Sequence, residues 1–244
     1  MYDEPIASGV SRVAAALAVV SLIGLAATGP LHHAGLFGLA GAFSVLKWSV
    51  YGALAAMVLA IIGLIVDSRR EARTSTALTA MVLSFIATGS IAALAWKASR
   101  VPAIHDVTTD TMQPPPFLAV LPLREGALNP VEYGGPEVAA KQKQAFPDIG
   151  PLTLNLPPAR AFDRALAAAR AMGWELVASD PAGGRIEATD TTFWFGFKDD
   201  VVIRVTPQPD GSRVDVRSLS RVGGGDIGAN AARVRKYLAA LKAS

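Results

Sequence analysis

The sequence predicts a three-helix transmembrane region followed by an α+β domain, in which an antiparallel sheet has helices packed on one face. Two observations support this fold class. Residues 10–96 are mostly apolar or small, whereas 33 of the 43 Asp, Glu, Lys and Arg residues come after residue 97. Beyond residue 151, short alternating segments are separated by turn residues and accompanied by two amphipathic segments. We therefore expect a transmembrane region over 1–100, an extended proline-rich arm over 101–151 and the α+β domain over 152–244.

Three segments qualify as membrane spans, because a helix needs about 20 mainly apolar residues to cross the hydrocarbon core. They cover residues 10–29, 48–66 and 77–96. The first has Arg12 near its start and ends in small residues, a pattern shared by cleaved signal peptides, but two spans would remain after its removal. Small residues four positions apart predict close packing of the spans: Gly52, Ala56 and Ala60, then Ala80, Ser84, Thr88 and Ala92.

The short loop between the second and third spans indicates the orientation. It carries Arg69, Arg70 and Arg73, and loops rich in Arg and Lys stay on the cytoplasmic side. We expect a bacterial inner-membrane protein with a cytoplasmic N-terminus and a periplasmic C-terminal domain. The charge bias is small, because three basic residues would lie on the outer side: Lys47, Lys97 and Arg100. The lipid bilayer is the expected partner, and a membrane protein is a further candidate.

Composition argues against several classes of function. The net charge is +3 and the basic residues of the C-terminal part are interleaved with acidic ones, so no basic stripe indicates nucleic-acid binding. The chain has no cysteine, which rules out disulfides, thiolate nucleophiles and cysteine-ligated metal clusters. We predict no cofactor and no metal site. The predicted spans have no Asp, Glu or His in their interior, which argues against a proton pathway.

The C-terminal pattern predicts an antiparallel meander with two helices. One helix is expected from Pro157–Pro158 to about Met172, and another from near Asp226, with Asp226 as its N-cap. Residues 198–200 are expected to form a charged turn. The arm should contain one short helix over 136–146, and it packs either on its own domain or on a neighbour. The predicted strands are LTLNL, WELVASD, RIEATDTT, TFWFGF, DDVVIRVTP and SRVDVRSLSR.

Three stretches carry a resemblance to a known family. The arm segment IHDVTTD, the strands IEATDTTFWFGFKDDVVIRV and the ending SRVDVRSLSRVGGGDIGANAARVRKYLAAL resemble the family known as domain of unknown function 1499. The resemblance covers about residues 101–241. It implies the domain type and a membrane-anchored member of the family. It implies no reaction, because the family has no established activity.

His105, Asp106 and Asp110 are the candidate catalytic residues. An imidazole beside carboxylates can act as a general base or contribute to a metal site. The alternative is structural: Asp106, Thr109 and Asp110 would bind backbone N–H groups of an extended arm. The sequence leaves both interpretations open.

Arg204, Asp215, Arg217, Arg221 and Asp226 are the candidate binding residues. Strand alternation predicts that the first three share the sheet face away from the helices, as surface ion pairs or as a contact for an anionic ligand or a partner protein. Arg221 and Asp226 flank glycines with G-x-G-x-x-G spacing. Because the preceding strand belongs to a meander, a turn capping the last helix or a simple anion site is favoured over a dinucleotide site.

Two classes of function follow from these patterns. The favoured one is a non-catalytic domain that binds an envelope component or serves as an accessory subunit of a membrane complex. The alternative is a hydrolase-like enzyme acting on an envelope lipid or glycan at the membrane surface.

Overall fold

A computed structural model describes residues 6–243. The N-terminal end of the chain, for which we predict a cytoplasmic location, begins outside the described residues. Two compact units make up the structure: the first holds the described residues up to Lys97 together with Trp194–Gly196, and the second holds the rest. The first holds three long helices, and the second holds a six-stranded sheet with helices. The predicted fold class is confirmed.

The three helices are α1 (Gly9–His33), α2 (Leu39–Arg69) and α3 (Ser75–Ala98). Each is long and apolar enough to cross a membrane, by length and composition. They contain the predicted spans and extend beyond them, most of all at the start of α2. The three helices therefore fit a membrane protein.

Small residues fill the contact between these helices. Ala14 and Ala18 of α1, Ala56 and Ala60 of α2 and Ala80 of α3 form one fully buried cluster. The predicted stripe on α3 is buried at Ala80 and Ser84, then continues at Ala87, while Ala92 is exposed. The prediction for Ala92 is wrong because a strict spacing of four drifts off one helix face, which repeats every 3.6 residues.

A buried carboxylate joins the start of α1 to the end of α2. Asp67 accepts hydrogen bonds from the Ser8 backbone N–H at 2.8 Å and from the Ser11 hydroxyl at 2.6 Å. Ser8 also caps α1, because its hydroxyl accepts from the Ser11 N–H at 3.3 Å. These bonds fix the register between the two helices at this end.

Gly63 should be the most sensitive position of the α1–α2 contact. A methyl group there would press on the Ser11 hydroxyl and lie 3.1 Å from the Ser11 backbone N and Cα, which cannot rotate away. We expect Gly63→Ala to destabilise the helix pair by about 1–3 kcal/mol and to lower the Tm of the full chain in mild detergent, measured by circular dichroism. Gly41→Ala is the control, because its methyl group would meet only the Phe37 Cβ, at 3.7 Å. Equal Tm values for the two variants would contradict the predicted packing.

The second unit is built on one antiparallel sheet with strand order β1-β6-β5-β4-β3, in which β2 also pairs with β6. The meander from β3 to β6 is confirmed. The strands are β1 (Asp106–Thr108), β2 (Leu152–Leu154), β3 (Glu175–Asp180), β4 (Arg185–Thr191), β5 (Lys198–Gln208) and β6 (Gly211–Ser220). The helices are α4 (Gly135–Ala145), α5 (Pro158–Ala171) and α6 (Ala229–Ala243), and a short 3₁₀ helix covers Leu121–Arg124.

The core lies between the sheet and helices α5 and α6. Ile186 and Ile203 of the sheet are fully buried in it, together with Phe162 of α5. Tyr237 of α6 stacks on Trp174 with ring centroids 5.3 Å apart, and its hydroxyl donates to the Ala165 carbonyl at 3.0 Å. Both predicted helices therefore pack on the same face of the sheet.

Two local predictions are wrong. The segment TFWFGF is a loop between β4 and β5, not a strand, because Thr192 closes it locally: its N–H donates to the Phe197 carbonyl at 2.8 Å and its hydroxyl accepts from the Phe197 N–H at 2.9 Å. Residues 198–200 then begin β5 instead of forming a charged turn. Asp199 and Asp200 are buried because arginines from other elements bind both carboxylates.

The arm over 101–151 packs on its own domain. Besides extended segments it contains β1, the 3₁₀ helix and α4, and its side chains bond to the sheet face opposite α5 and α6. The arm therefore covers the sheet face opposite α5 and α6, while its end, at Phe146 and Ile149, packs in the core on the helix side.

Candidate functional site

Strand alternation collects charged side chains on the arm-covered face. Register pairs Arg204 with Asp215 and Val202 with Arg217 across β5 and β6, and pairs Thr189 with Asp200 across β4 and β5. The structure therefore brings the predicted Arg204, Asp215 and Arg217 to one face. These residues do not form an open surface patch, because the arm covers this face of the sheet.

Asp106 and Arg217 form a buried ion pair. The Arg217 Nη2 lies 2.7 Å from one Asp106 carboxylate oxygen, and its Nε lies 3.0 Å from the other. Arg217 also donates to the carbonyl of Val131 at 2.6 Å, and its guanidinium lies 4.9 Å from the centre of the Phe117 ring. These three partners of Arg217, namely Asp106, Val131 and Phe117, all come from the arm. The pair therefore fastens the arm to β6.

Burial is the largest influence on the pKa values of Asp106 and of the neighbouring Tyr133. It raises the pKa of Asp106, while hydrogen bonds and the positive charge of Arg217 oppose the rise. Burial, together with the Asp106 charge, raises the pKa of the neighbouring Tyr133 to about 12. At neutral pH Tyr133 is therefore a neutral phenol.

A second cluster joins Asp110, Arg204, Arg213 and Asp215. Arg204 Nη2 donates to Asp215 at 2.9 Å and to Asp110 at 3.2 Å, and Arg213 Nη2 donates to Asp110 at 2.8 Å. Asp110 also accepts from the backbone N–H groups of Met112 and Gln113. Two carboxylates and two guanidinium groups therefore neutralise each other at this point of the arm.

Asp110 should make the domain sensitive to acid. Burial acts to raise the pKa of Asp110, but the Gln113 and Met112 amides and the two arginines together hold it below its ordinary value of 3.8. A lowered pKa stabilises the fold above the unfolded pKa, and this stability is lost as pH falls through the folded pKa. We expect Asp110→Asn to lower the free energy of unfolding by about 1–2 kcal/mol at neutral pH and to converge with wild type in acid.

Urea unfolding of the full chain at several pH values, followed by pulse proteolysis, measures this effect. Asp163→Asn, at an exposed position of α5, is the matched control. A constant difference between Asp110→Asn and wild type from neutral pH down to pH 3 would contradict the role of the charge.

A third cluster surrounds Asp200, which is fully buried. Its carboxylate lies 2.6 Å from Arg124 Nη1 and 2.7 Å from Arg221 Nη2, and it accepts the Thr189 hydroxyl at 2.8 Å. Arg221 also donates to the Leu123 carbonyl at 2.6 Å. The predicted binding residue Arg221 is thus engaged in holding the 3₁₀ helix of the arm.

His105, Asp106 and Asp110 are engaged with different partners in the structure. Its backbone carbonyl accepts from the Ser220 N–H at 2.9 Å and from the Asn230 side chain at 3.0 Å, while its Nδ1 is buried without a hydrogen-bond partner. The carboxylates of Asp106 and Asp110 are bound to different arginines. Within residues 6–243, no group of three or more His, Asp and Glu side chains could hold a metal ion.

Asp226 caps the last helix. Its carboxylate oxygens accept from the N–H groups of Gly228 at 2.8 Å and Asn230 at 2.6 Å, and α6 begins at Ala229, slightly later than predicted. Gly223 and Gly228 have φ values of +93° and +79°, which glycine adopts readily. Burial raises the pKa of Asp226. This arrangement fits the capping turn, because the side chain of Asp226 occupies two of the amides that an anion would use.

A buried cluster on the helix side is built around Asn230 and Arg233, which were not singled out from the sequence. Arg233 of α6 donates to Asp199 and Asp190, each at 2.6 Å, and to the Ser218 hydroxyl at 3.0 Å. Asn230 accepts the Ser218 hydroxyl at 2.6 Å. One sequence signal could have revealed this cluster. Asn230 and Arg233 lie one turn apart beside the apolar stripe of α6, and polar side chains in such a place need buried hydrogen-bond partners.

Comparison with known proteins places the domain in a family. The model of the family described as protein of unknown function DUF1499 matches residues 106–241, which is over half of the chain. A separate similarity, 48% identity over 65 residues, is to the tryptophan synthase alpha chain of Alkalilimnicola ehrlichii. It covers 26% of this chain and 24% of that protein, so the chain spans about a quarter of that relative's length. The arm, sheet and last helix together form the matched region, and the chain belongs to the DUF1499 family.

Proposed function

We propose that this protein is a membrane-anchored binding protein, whose C-terminal domain acts on the extracytoplasmic side as an accessory subunit of a membrane complex. The proposed contact surface consists of four exposed leucines from one stretch of the arm, Leu118, Leu121, Leu123 and Leu128, here called the leucine ridge. A membrane-protein partner with an apolar surface would cover it.

The exposure of the leucine ridge is the observation that carries this proposal. The four side chains are 48%, 43%, 50% and 71% exposed, respectively, although they lie within a single stretch of the arm. Neighbouring apolar residues of the same stretch, Phe117 and Val120, are buried against the sheet. Clustered exposed apolar residues commonly mark interaction sites, whereas single ones do not.

The backbone beneath the ridge is held firmly. The N–H groups of Leu118 and Val120 both donate to the Glu187 carboxylate at 2.9 Å. The N–H groups of Leu128 and Asn129 donate to the Arg221 carbonyl at 3.0 Å. A surface presented on a fixed backbone loses little conformational entropy when a partner binds.

The expected orientation follows from the end of α2 and the loop that leads to α3. Arg69, Arg70 and Arg73 favour the cytoplasmic side, which directs the end of α3 and the domain to the other side of the membrane. Fusion of a periplasm-active reporter after Ser244 tests this, because it gives activity only if the domain is exported.

The enzyme alternative has less support. A groove of about 490 Å³ lies beside α4 and is lined by Met112, Tyr133 and Lys143, among others. Its lining includes none of His105, Asp106 and Asp110. A general base needs hydrogen-bond reach to its substrate, and both candidate carboxylates are occupied by arginines.

Purification of the full chain in mild detergent, with mass spectrometry of bound proteins, lipids and metals, tests the proposal. We expect a stoichiometric protein partner that is lost from a Leu121→Glu, Leu123→Glu double variant and retained by Arg170→Glu, which changes an exposed position on α5. Circular dichroism establishes that the double variant is folded. A partner retained by the folded double variant, or a bound metal or lipid without a protein partner, would overturn the proposal.

A further inference from the structure

The loop between β4 and β5 concentrates aromatic side chains. Residues 193–197 read FWFGF, so four of these five residues are aromatic. Phe193 is 92% exposed and Trp194 is 43% exposed. Exposed aromatic rings are costly in water, and Trp in particular is enriched at membrane–water interfaces. The loop is followed directly by the exposed Lys198.

Sheet register places this loop at the end where the chain enters the domain. Thr191 pairs with Lys198 at the loop, and the next pairs along β5 and β6 are Asp199 with Ser220 and Asp200 with Leu219. Leu219 also pairs with Asp106, the first residue of β1. The start of β1 and the aromatic loop therefore lie at the same end of the sheet.

Only a short segment joins this end to α3. The helix ends at Ala98, and Ile104 already belongs to the buried core of the domain. The five residues between them can span at most about 18 Å when fully extended. A segment this short limits how far this end of the domain can move from the end of α3, which raises the effective concentration of any lipid bound around that helix.

We infer that the aromatic loop inserts into the headgroup region of the lipid bilayer and is a second, peripheral membrane contact of this protein. The Phe193 and Trp194 rings would sit at the polar–apolar boundary, and Lys198 would lie at the level of the phosphates. The composition of the aromatic loop fits a lipid surface better than the composition of the leucine ridge does. The ridge has no aromatic residue, and the exposed Glu125 lies in the same stretch of the arm.

The absence of cysteine gives a direct test. A nitroxide spin label is attached to Phe193→Cys or Trp194→Cys in the full chain, reconstituted in phosphatidylcholine nanodiscs. Asp210→Cys is the matched control, because Asp210 is an exposed turn residue at the other end of the 11-residue strand β5, about 36 Å away. Electron paramagnetic resonance then compares the accessibility of each label to oxygen, which dissolves in lipid, and to a water-soluble nickel chelate.

We expect the ratio of oxygen to nickel accessibility to be several-fold higher at positions 193 and 194 than at position 210. Equal ratios, or low accessibility of the loop labels to both reagents, would overturn the inference in favour of water or of a protein contact. Two loop positions are labelled so that a disturbance at one of them is recognised, with folding checked by circular dichroism. Failure of this test leaves the partner purification unaffected, because Leu121 and Leu123 are outside the loop.

Discussion

Replacing Arg217 with Met is expected to lower the free energy of unfolding of the domain by about 3–5 kcal/mol. The substitution keeps much of the aliphatic volume but leaves the Asp106 carboxylate buried without its counter-ion. It also removes the donors to the Val131 and Pro115 carbonyls, which lie 2.6 and 3.3 Å from the guanidinium. The arm loses its buried ion pair with β6.

The pH dependence separates the charge from the packing. Burial raises the pKa of Asp106, and Arg217 opposes the rise, so its removal should raise this pKa further. An acid with a raised folded pKa loses stability as pH rises from its unfolded pKa through its folded pKa. The deficit of Arg217→Met relative to wild type should therefore be largest at neutral pH and shrink in acid, where Asp106 is protonated.

The double variant Asp106→Leu, Arg217→Met is the control. It removes both charges, and apolar replacements of buried ion pairs are often tolerated. We expect it to regain most of the stability lost in Arg217→Met, with a residual loss from the unpaired carbonyls. Pulse proteolysis in urea on the full chain measures all three proteins. A double variant no more stable than Arg217→Met would show that the bonds to the carbonyls, rather than the pair, dominate.

The membrane region and the sheet meander could be predicted because their signals are local. Apolar length identifies α1 to α3, and period-two alternation identifies β5 and β6. The same alternation placed Arg204, Asp215 and Arg217 on the face away from the helices. These inferences need no knowledge of which distant segment packs against which.

The partners of those side chains could not be predicted in the same way. Arg217 and Asp106 are 111 positions apart, and Arg124 and Asp200 are 76 apart. Pairing across such distances depends on where the arm crosses the sheet. Proline content indicated an extended arm, but not that Asp106 and Asp110 would bind arginines of β5 and β6.

The aromatic loop shows where local propensity misleads. Phe and Trp favour strands, so TFWFGF was predicted as one. The Thr192 hydrogen bonds instead close a turn, and the aromatic side chains are carried on a loop. Aromatic residues that depart from their preferred secondary structure and remain exposed, as Phe193 does, are more consistent with a contact surface than with a core.

Replacing Asp200 with Asn is expected to release one part of the arm while leaving another attached. The substitution keeps the size of the side chain and removes the charge that two guanidinium groups share. Arg124 is almost completely buried, so leaving it without a counter-ion should cost about 3–5 kcal/mol. The loss should appear where Arg124 and Arg221 hold the arm, at the 3₁₀ helix and at Leu128 and Asn129.

Hydrogen exchange of the full chain in detergent, read by mass spectrometry of peptides, resolves this pattern. The Leu128 and Asn129 amides bond to the Arg221 carbonyl and should exchange about a hundredfold faster, which corresponds to about 2.7 kcal/mol of protection. The Leu118 and Val120 amides bond to Glu187, which the substitution does not touch, and should retain most of their protection. Asp148→Asn is the control, because it breaks an exposed pair with Arg235, and such pairs contribute at most about 1 kcal/mol. Uniform loss of protection along residues 118–129 would mean that the arm opens as one cooperative unit, whereas a local loss would show that each buried carboxylate holds its own segment.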